Sequence, residues 1–369
     1  MDIQEEQYCS LRLLLTEGLS HRVFISLVEK FGSAKEAVTA GPQSWGDVIP
    51  EKEVLNQLSN SFENEKRNAD QEWQSLRKEK IDLVLSHAGP FPLLLKALSH
   101  PPPLLYVKGE NISEASVTMA IVGSRRCSYY GEKMARLISS GLTKSGVTTV
   151  SGLARGIDSC VHQETIKEGG RTWAVLGSGL SICYPPENKR LFDRIAEQGA
   201  LISEFPLNAT PLPANFPRRN RIIAGLTVGT VVIEGTEKSG ALITARLAAE
   251  EGREVYAVPG PVTSPLSAAS HYLIQHGAKL VQKVEDILED LPEPFCNSEC
   301  SVLNEADEPD GELVDGIHEL IRHLTAGPVS REELAQRLDK APHELSPLLL
   351  ELELKGIVKS LPGGLLVKA

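Results

Sequence analysis

Long apolar runs are missing from this 369-residue chain, and none reaches the roughly 18–20 residues that a membrane-spanning helix needs. Residues 1–10, MDIQEEQYCS, are acidic and polar, which argues against a secretory signal. We therefore expect a cytoplasmic protein that does not use a membrane as a partner.

Paired cysteines are also missing, since the six cysteines are scattered apart from Cys296 and Cys300 in CNSEC. A structural zinc site normally needs a second ligand pair at similar spacing. We expect no metal, and reduced thiols in a reducing cytosol.

Two nucleotide-binding fingerprints are absent as well. There is no Walker sequence, and GSRRCSYYG at 123–131 is not G-x-G-x-x-G, because an arginine stands where close approach to a pyrophosphate needs glycine. A conventional NAD or ATP site is therefore not expected, and no cofactor is predicted.

Positive charge is scarce overall, with a formal net charge of −11, but it is unevenly distributed. Residues 112–292 carry 19 Lys and Arg against 18 Asp and Glu, whereas the segments on both sides are net acidic. We expect any anionic ligand to bind in this middle part, at a local patch rather than through bulk charge.

The apolar spacing divides the chain into five parts. Residues 1–80 have helical periodicity, and 81–111 form a connecting segment with the proline run HPPP at 100–103. Residues 112–290 alternate β-rich and helical runs, which is typical of a doubly wound, mostly parallel α/β sheet. The predicted strands are 117–123, 146–152, 172–179, 200–205, 230–235, 254–260 and 278–281.

The last two parts differ from the rest in composition. Residues 291–312 are acidic and proline-bearing, which indicates a linker. Residues 313–369 predict three short helices and a β-hairpin with a PGG turn, the composition of a winged-helix domain.

Basic residues follow several predicted strands. Because ligands bind at the carboxyl ends of strands in such sheets, these loops converge on one rim and predict phosphate binding. Glycines, hydroxyls and main-chain N–H groups at helix starts add anion donors. The basic residues are Arg125, Arg126, Lys189, Arg190, Arg218, Arg219, Arg221 and Lys238.

Aromatic residues make up only 5% of the chain, yet several lie in or beside these basic loops. Base stacking beside a basic groove is how single strands are bound without sequence preference, so the pattern favours single-stranded nucleic acid. The aromatic residues are Tyr129, Tyr130, Tyr184, Phe192 and Phe216.

Structural roles remain open for these residues. The arginines could pair with Glu204 or Glu234, and Phe192 could belong to the core. Asp158 and His162, at i and i+4, could be an acid–base pair, but a helix-capping Asp with a packed His fits better.

The stretch FPRRNR at 216–221 contains three arginines. In a turn of helix Arg218 and Arg221 lie on one side, while Arg219 points elsewhere. We expect this stretch both to bind phosphate and to brace the fold through a carboxylate such as Glu234.

Six ordered motifs between about 105 and 290 resemble the DNA-processing protein A family, also called DprA or Smf. They are VGSRRCSYYG, VSGLARGID, AVLGSGLSICYPPENKRLF, ISEFPLNATPLPANFPRRNRIIAGL, VVIEGTEKSGALITARLAAEEGREVYAVPG and SPLS followed by LIQHGAKLV.

The resemblance implies an extended Rossmann-like domain, with a helical SAM-like or helix-hairpin-helix-like domain before it and a winged helix after it. It also implies a homodimer that binds single-stranded DNA without sequence preference, loads the RecA recombinase and supports natural transformation. The resemblance predicts no enzyme activity.

The DNA-binding residues that this reading predicts combine the glycine–serine–arginine loop, the Asn-Lys-x-x-Phe turn, the arginine stretch and the helix start in EKSGALIT. They are Gly123, Ser124, Arg125, Arg126, Ser128, Asn188, Lys189, Phe192, Arg218, Arg219, Asn220, Arg221, Lys238, Ser239, Gly240 and Thr244.

The chain departs from the family pattern in several places. TEGLS stands where a Gly-Ile-Gly turn is common, which weakens a DNA role for the first helices. Pro261 follows a glycine in a ligand-side loop, and Cys160 and Val161 replace small residues. The presumed recognition helix of the winged helix is acidic, so we expect this domain to contact protein rather than DNA. Its acidic residues are Glu344, Glu351 and Glu353.

Two other function classes stay as alternatives. A nucleotide phosphoribohydrolase resembling the Lonely Guy group would use a similar sheet, but EGTEKSGALIT lacks the P-G-G-x-G-T-x-x-E signature. A transcription factor acting through the winged helix is disfavoured by the acidity of that domain.

Overall fold

The computed structural model describes residues 2–114, 117–291, 329–338, 345, 349, 352–353, 358–361 and 365–368. The chain divides into two compact units, Met1–Cys300 and Ser301–Ala369. The predicted acidic linker at 291–312 and the CNSEC pair fall outside the described residues, apart from Leu291.

Five helices form the amino-terminal part of the first unit. Their apolar faces enclose a core around Leu13, Phe24 and Trp45, as the helical periodicity predicted. The helical periodicity of residues 53–80 has no break and predicts a single helix there, but the structure has two helices that meet at Glu65. The helices are α1 (Ile3–Leu15), α2 (His21–Phe31), α3 (Ala34–Ala40), α4 (Lys52–Asn64) and α5 (Lys66–Glu79).

Strands and helices alternate through the rest of this unit. In the segment expected only to connect, they are β1 (Asp82–Leu85), α6 (Leu93–Lys96) and β2 (Leu104–Gly109). The alternation continues with β3 (Thr118–Val122), α7 (Tyr129–Lys144), β4 (Thr148–Ser151), α8 (Ile157–Lys167), β5 (Thr172–Val175), α9 (Lys189–Gln198) and β6 (Ala200–Ser203). It ends with α10 (Asn215–Gly225), β7 (Gly229–Val232), α11 (Gly240–Glu250), β8 (Glu254–Ala257), α12 (Ala268–Gln275), β9 (Lys279–Leu280) and α13 (Glu285–Leu288).

The nine strands form one sheet in the order β1-β2-β6-β5-β4-β3-β7-β8-β9. Every neighbouring pair from β6 to β9 is parallel, which confirms the predicted doubly wound α/β class. The two strands that sequence reasoning missed, β1 and β2, pair antiparallel at one edge.

Helices cover both faces of the sheet, as the residues of β3 demonstrate. Met119 and Ile121 pack with residues of α7 and α8, whereas Ala120 and Val122 pack with residues of α10 and α11. All five residues of β3 are buried, which explains why this strand lacks apolar–polar alternation.

The described residues of the second unit include a small antiparallel sheet in the order β10-β12-β11, and a helix follows β10. Its described elements are β10 (Val329–Ser330), α14 (Arg331–Arg337), β11 (Val358–Leu361) and β12 (Leu365–Lys368). The predicted hairpin is therefore present. Its PGG turn, Glu344 and Glu351 lie outside the described residues.

Among the residues that the structure describes, no helix is both long and apolar enough to cross a bilayer.

Candidate functional site

The direction of the chain reverses beside β3. Crossovers run from β3 through β4 and β5 to β6 on one side, and the chain then returns to β7 on the other side of β3. The loops that follow β3 and β7 therefore diverge and leave a crevice at the carboxyl edge of the sheet. A cavity of about 540 Å³ lies there, and we call it the switch-point cavity.

The loops and helices predicted to carry the site contribute most of this cavity's wall. From the predicted set, its lining contains Gly123, Ser124, Arg125, Arg219, Asn220, Ser239, Gly240 and Thr244. The sequence-based list omitted further lining residues, notably Asp158, Tyr184, Pro211, Pro213, Phe216 and Ile243. Phe216 and Tyr184 are close to basic residues in the sequence, so the aromatic pattern is the signal that points to them.

The amino-terminal end of α11 forms one wall. Ser239 caps this helix, because its hydroxyl accepts a hydrogen bond from the Leu242 N–H at 3.4 Å. The Thr244 hydroxyl and the Asn220 amide both donate to the carbonyl of Gly240, at 3.2 and 3.4 Å. The positive end of the helix dipole therefore faces the cavity, which favours an anion.

A cation and two aromatic rings form another part of the wall. The guanidinium carbon of Arg125 lies 5.1 Å from the ring centroid of Phe216. The ring of Tyr184, 37% exposed, lies 5.7 Å from that of Phe216. Arg125 is exposed and Phe216 is half-buried, so both can contact a ligand while holding one another in place.

Arg219 and Asp158 lie beneath the cavity and are almost fully buried, at 4% and 6% exposure. Arg219 donates to the Gly152 carbonyl at 2.7 Å and to the Val175 carbonyl, which join it to β5 and to the loop after β4. Burial lowers the pKa of Arg219 to about 10, although Asp158 opposes the shift. Burial raises the pKa of Asp158, against the effect of Arg219.

The buried guanidinium of Arg219 leaves no room for a side chain at Gly152. A Cβ there would lie 2.4 Å from the guanidinium nitrogen Nη2 of Arg219, closer than atoms can approach. Nη1 of Arg219 is used by the backbone carbonyls of Gly152 and Val175, but Arg219 also lines the cavity, so its contact with phosphate stays a prediction. Arg219 braces the fold, but not through Glu234.

Glu234 instead anchors the loop after β3. It accepts hydrogen bonds from the Ser128 N–H at 2.9 Å and from the Ser128 hydroxyl at 2.5 Å. That hydroxyl also caps α7 by accepting from the Gly131 N–H at 3.0 Å. Ser128 therefore holds the loop in place and does not line the cavity, and its predicted DNA contact stays a prediction.

The other two arginines of FPRRNR pair with one buried carboxylate, Glu204. Arg221 donates to Glu204 and also to the His100 carbonyl at 2.8 Å. Arg218 is 4.0 Å from Glu204, with its side chain 55% exposed and its guanidinium over the Phe205 ring. Neither arginine lines the switch-point cavity. The side chain of Arg218 is more exposed than that of Arg221.

The Asn-Lys-x-x-Phe turn also lies outside the cavity lining. The Asn188 amide donates to the Leu153 carbonyl and the Ser159 hydroxyl, both at 2.9 Å. Phe192 is 5% exposed because α9 uses Leu191, Phe192 and Ile195 as its apolar face. Phe192 therefore packs in the core, and its stacking on a base stays a prediction.

Three predicted cations are exposed near the cavity or this turn. Lys189 pairs with Asp193 at 2.5 Å, and its ammonium lies 5.1 Å from the Phe192 ring centroid. Arg126 and Lys238 are exposed in the loops that follow β3 and β7. In the sequence they are next to the cavity-lining residues Arg125 and Ser239.

Asp158 and His162 do not form an acid–base pair. Asp158 accepts from the Gly152 and Ala154 N–H groups at 3.1 and 3.3 Å, near the start of α8. His162 is fully buried with Nδ1 2.7 Å from the Thr172 hydroxyl, and burial, with Arg219, lowers its pKa to about 3. The packed His162 agrees with the structural interpretation, whereas Asp158 does not cap α8: the residue at the N-cap is Gly156, and Asp158 holds the preceding loop instead.

Two family models match this chain. Residues 82–292 match the family model described as DNA recombination-mediator protein A, and residues 304–364 match the DprA winged helix domain. Protein Smf of Escherichia coli (strain K12) is 43% identical over 291 residues, covering 78% of each chain. DNA processing protein DprA of Bacillus subtilis (strain 168) is 41% identical over 218 residues, covering 59% of this chain and 73% of that protein.

Two solved structures are similar. DNA processing protein A of Streptococcus pneumoniae aligns with a TM-score of 0.69 and 34% identity, covering 78% of this chain and 98% of that chain. The Helicobacter pylori protein aligns with a TM-score of 0.52 and 24% identity, covering 56% of this chain and 94% of that one.

Proposed function

Because this chain belongs to the DprA/Smf family of DNA recombination-mediator proteins, we propose that its switch-point cavity binds single-stranded DNA. The Helicobacter pylori relative is described as having a unique single-stranded DNA binding mode, which supports the same ligand class here. Binding is independent of base sequence, as expected of a site built on stacking and phosphate contacts.

The observation that carries this proposal is the pairing of Arg125 with Phe216 at the cavity mouth. An exposed guanidinium over a half-buried ring, with Tyr184 adjacent, offers one phosphate contact and stacking surface for a base. The volume of about 540 Å³ falls in the range of small-molecule sites, which is sufficient for a nucleotide unit.

The remaining residues of the proposed site have distinct roles. Gly123 and Ser124 bring main chain close to the ligand, and Ser239 and Gly240 present the start of α11 to a phosphate. Asn220 and Thr244 hold the Gly240 carbonyl and thereby fix that helix start. Arg126 and Lys238 contact the strand where it leaves the cavity.

The concave shape favours a single strand over a duplex. A base can reach Phe216 only after it has left a base stack, and a duplex keeps its bases paired inside. A duplex could contact only the exposed cations at the rim, so its binding is weaker.

The finer biological role rests on the family resemblance. We propose a homodimer that loads RecA onto the bound strand in DNA uptake, with the winged helix contacting protein. The role needs no catalytic group, and a cytoplasmic location fits a RecA partner. Under the alternative of a phosphoribohydrolase, incubation with a nucleoside monophosphate would release free base.

Fluorescence anisotropy with a labelled oligothymidylate tests the site. Arg125→Ala removes a phosphate contact and the cation beside Phe216, so we expect affinity to fall by about tenfold, equivalent to about 1.4 kcal/mol. Arg171→Ala is the matched control, because Arg171 is an exposed arginine at the opposite, amino edge of the sheet. Equal affinities for both variants would contradict the proposed site.

Lys189→Ala tests whether DNA binds at the switch-point cavity or at the Asn-Lys-x-x-Phe turn, which the sequence also predicts as part of the site. Lys189 is paired with Asp193 and lies outside the cavity lining, so its loss should weaken binding less than the loss of Arg125. A larger effect at Lys189 would move the site to the Asn-Lys-x-x-Phe turn.

A further inference from the structure

A second and much smaller cavity adjoins the switch-point cavity, and the proposed function does not use it. Its volume is about 20 Å³, and we call it the niche. Four residues line both cavities, which makes the two cavities direct neighbours: Arg125, Ala154, Tyr184 and Phe216. The niche also reaches the loop after β4, where its lining includes an arginine that the switch-point cavity does not contact, Arg155.

The size of the niche decides which part of a nucleotide can enter it. A cavity needs about 10–15 Å³ to hold one water molecule, so the niche has room for little more than one oxygen atom of that size. The Phe216 ring packs directly on the main chain at Gly177, where a Cβ would lie 2.9 Å from the ring, and this closes one side. The niche therefore excludes a base and admits the non-bridging oxygen of a phosphate.

The charges that line the niche favour the same group. Arg125 and Arg155 are the cations in its lining. Arg125 contacts the Phe216 ring, and among the residues that the structure describes no carboxylate pairs with it. The Ser178 hydroxyl already donates to the Ile182 carbonyl at 3.0 Å, so it does not offer its proton to a ligand. Two guanidinium groups at a cavity of this size suit an anionic oxygen.

Arg155 is held only by an exposed ion pair. Its Nε donates to Glu187 in the turn before α9, and the two side chains are 56% and 51% exposed. This hydrogen bond lowers the pKa of Glu187, so the carboxylate is charged at neutral pH. Exposed pairs contribute little to stability, and within the described part of the chain the terminal nitrogens of Arg155 donate to no other group. A phosphate can therefore compete with Glu187 for this guanidinium.

We propose that the niche binds a backbone phosphate of the single strand whose neighbouring base lies in the switch-point cavity, with Arg155 as a phosphate contact and Glu187 as its competitor. This assignment deepens the proposed function and rests on it. Arg125 lines both cavities and contacts the same phosphate. The base and the phosphate then lie on either side of the Phe216 ring, and the strand continues towards the loops after β4 and β5.

Fluorescence anisotropy of the full chain with a labelled oligothymidylate, repeated over a range of salt concentrations, tests this assignment. Arg155→Ala should weaken binding by about fivefold and make the log–log salt slope shallower by about 0.7, because one phosphate contact is lost. Glu187→Gln should tighten binding by about two- to threefold, because it frees Arg155 and removes a negative charge beside the phosphate. In the Arg155→Ala background, Glu187→Gln should tighten binding less.

Two control variants remove the same charges at the amino edge of the sheet. They are Arg171→Ala and Glu197→Gln, at exposed residues, and both should bind like wild type. If Arg125→Ala weakens binding but Arg155→Ala binds like Arg171→Ala, the niche assignment is overturned and the proposed function stands. Weaker binding by Arg155→Ala with an unchanged salt slope overturns the phosphate contact.

The remaining outcomes concern Glu187 and the wild-type protein. Binding by Glu187→Gln that is no tighter than that of Glu197→Gln overturns the competition for Arg155. A wild-type protein that does not bind the oligothymidylate overturns the proposed function and this inference with it.

Discussion

At the scale of single residues, the three arginines of FPRRNR have three different environments. Helical spacing correctly set Arg219 apart from Arg218 and Arg221, and it predicted that part of the stretch braces the fold. Which groups would be braced could not be predicted, because the carbonyls of Gly152 and Val175 come from loops and strands far away in the sequence. Only the folded sheet brings them to Arg219.

Arg219→Ala should destabilise the protein strongly. It leaves Asp158 buried without its compensating cation and leaves two carbonyls without their donor, so we expect a loss of about 3–5 kcal/mol in the free energy of unfolding. Urea denaturation measures this loss. Arg218→Ala is the matched control, because Arg218 is the adjacent arginine and its side chain is exposed. We expect its effect on the free energy of unfolding to be much smaller. Equal losses for the two variants would contradict the account.

His162 should make stability depend on pH. Its pKa is lowered from 6.5 to about 3 by burial and by Arg219, so below pH 6.5 the unfolded chain binds a proton that the native protein does not. Stability is therefore lost as pH falls from 6.5 towards 3, by up to about 1.4 kcal/mol per pH unit.

His162→Gln removes this contribution, and urea denaturation across the same pH range measures the difference from wild type. Asp158 acts with the opposite sign, since its raised pKa makes the native protein hold the extra proton, but it is present in both proteins and cancels. Parallel pH profiles for the two proteins would show that His162 does not titrate as described.

At the scale of elements, the parallel strands were well predicted and the antiparallel edge was not. Buried strands such as β3 are short apolar runs between helical segments, and both faces are covered, so their pattern is visible locally. The pairing of β1 with β2 joins segments separated by the proline run, and nothing local predicts it. The break between α4 and α5 was also missed, because the helical periodicity continues through Glu65.

The start of α3 depends on a carboxylate from another helix. Glu6, on α1, is fully buried and accepts from the Ala34 and Lys35 N–H groups at 2.7 and 3.0 Å, with His87 at 2.7 Å. Glu6→Ala leaves buried donors unpaired and should cost about 3 kcal/mol by urea denaturation.

The neighbouring Glu5→Ala is the control for this element. Glu5 forms an exposed ion pair with Lys35, so its loss should leave the unfolding midpoint nearly unchanged. Similar midpoints for Glu5→Ala and Glu6→Ala would rule out the proposed role of Glu6 at the start of α3.

At the scale of the whole molecule, composition and six ordered motifs were enough to predict the family and the α/β class. The site was predicted only as a set of loops, since the strand order decides which of them meet. The loops after β3 and β7 both line the cavity, whereas the Asn-Lys-x-x-Phe turn lies outside the lining, with Phe192 buried in the core. The division of the first unit into domains at 1–80 and 112–290 stays a prediction.

Photo-crosslinking with an oligonucleotide that contains 4-thiothymidine tests the central claim most directly, because it locates the bound strand on the full chain. We expect the crosslinked peptides to contain Tyr184 or Phe216, the rings that face the switch-point cavity. Crosslinks confined to residues 304–364 would contradict the account and place the DNA on the winged helix.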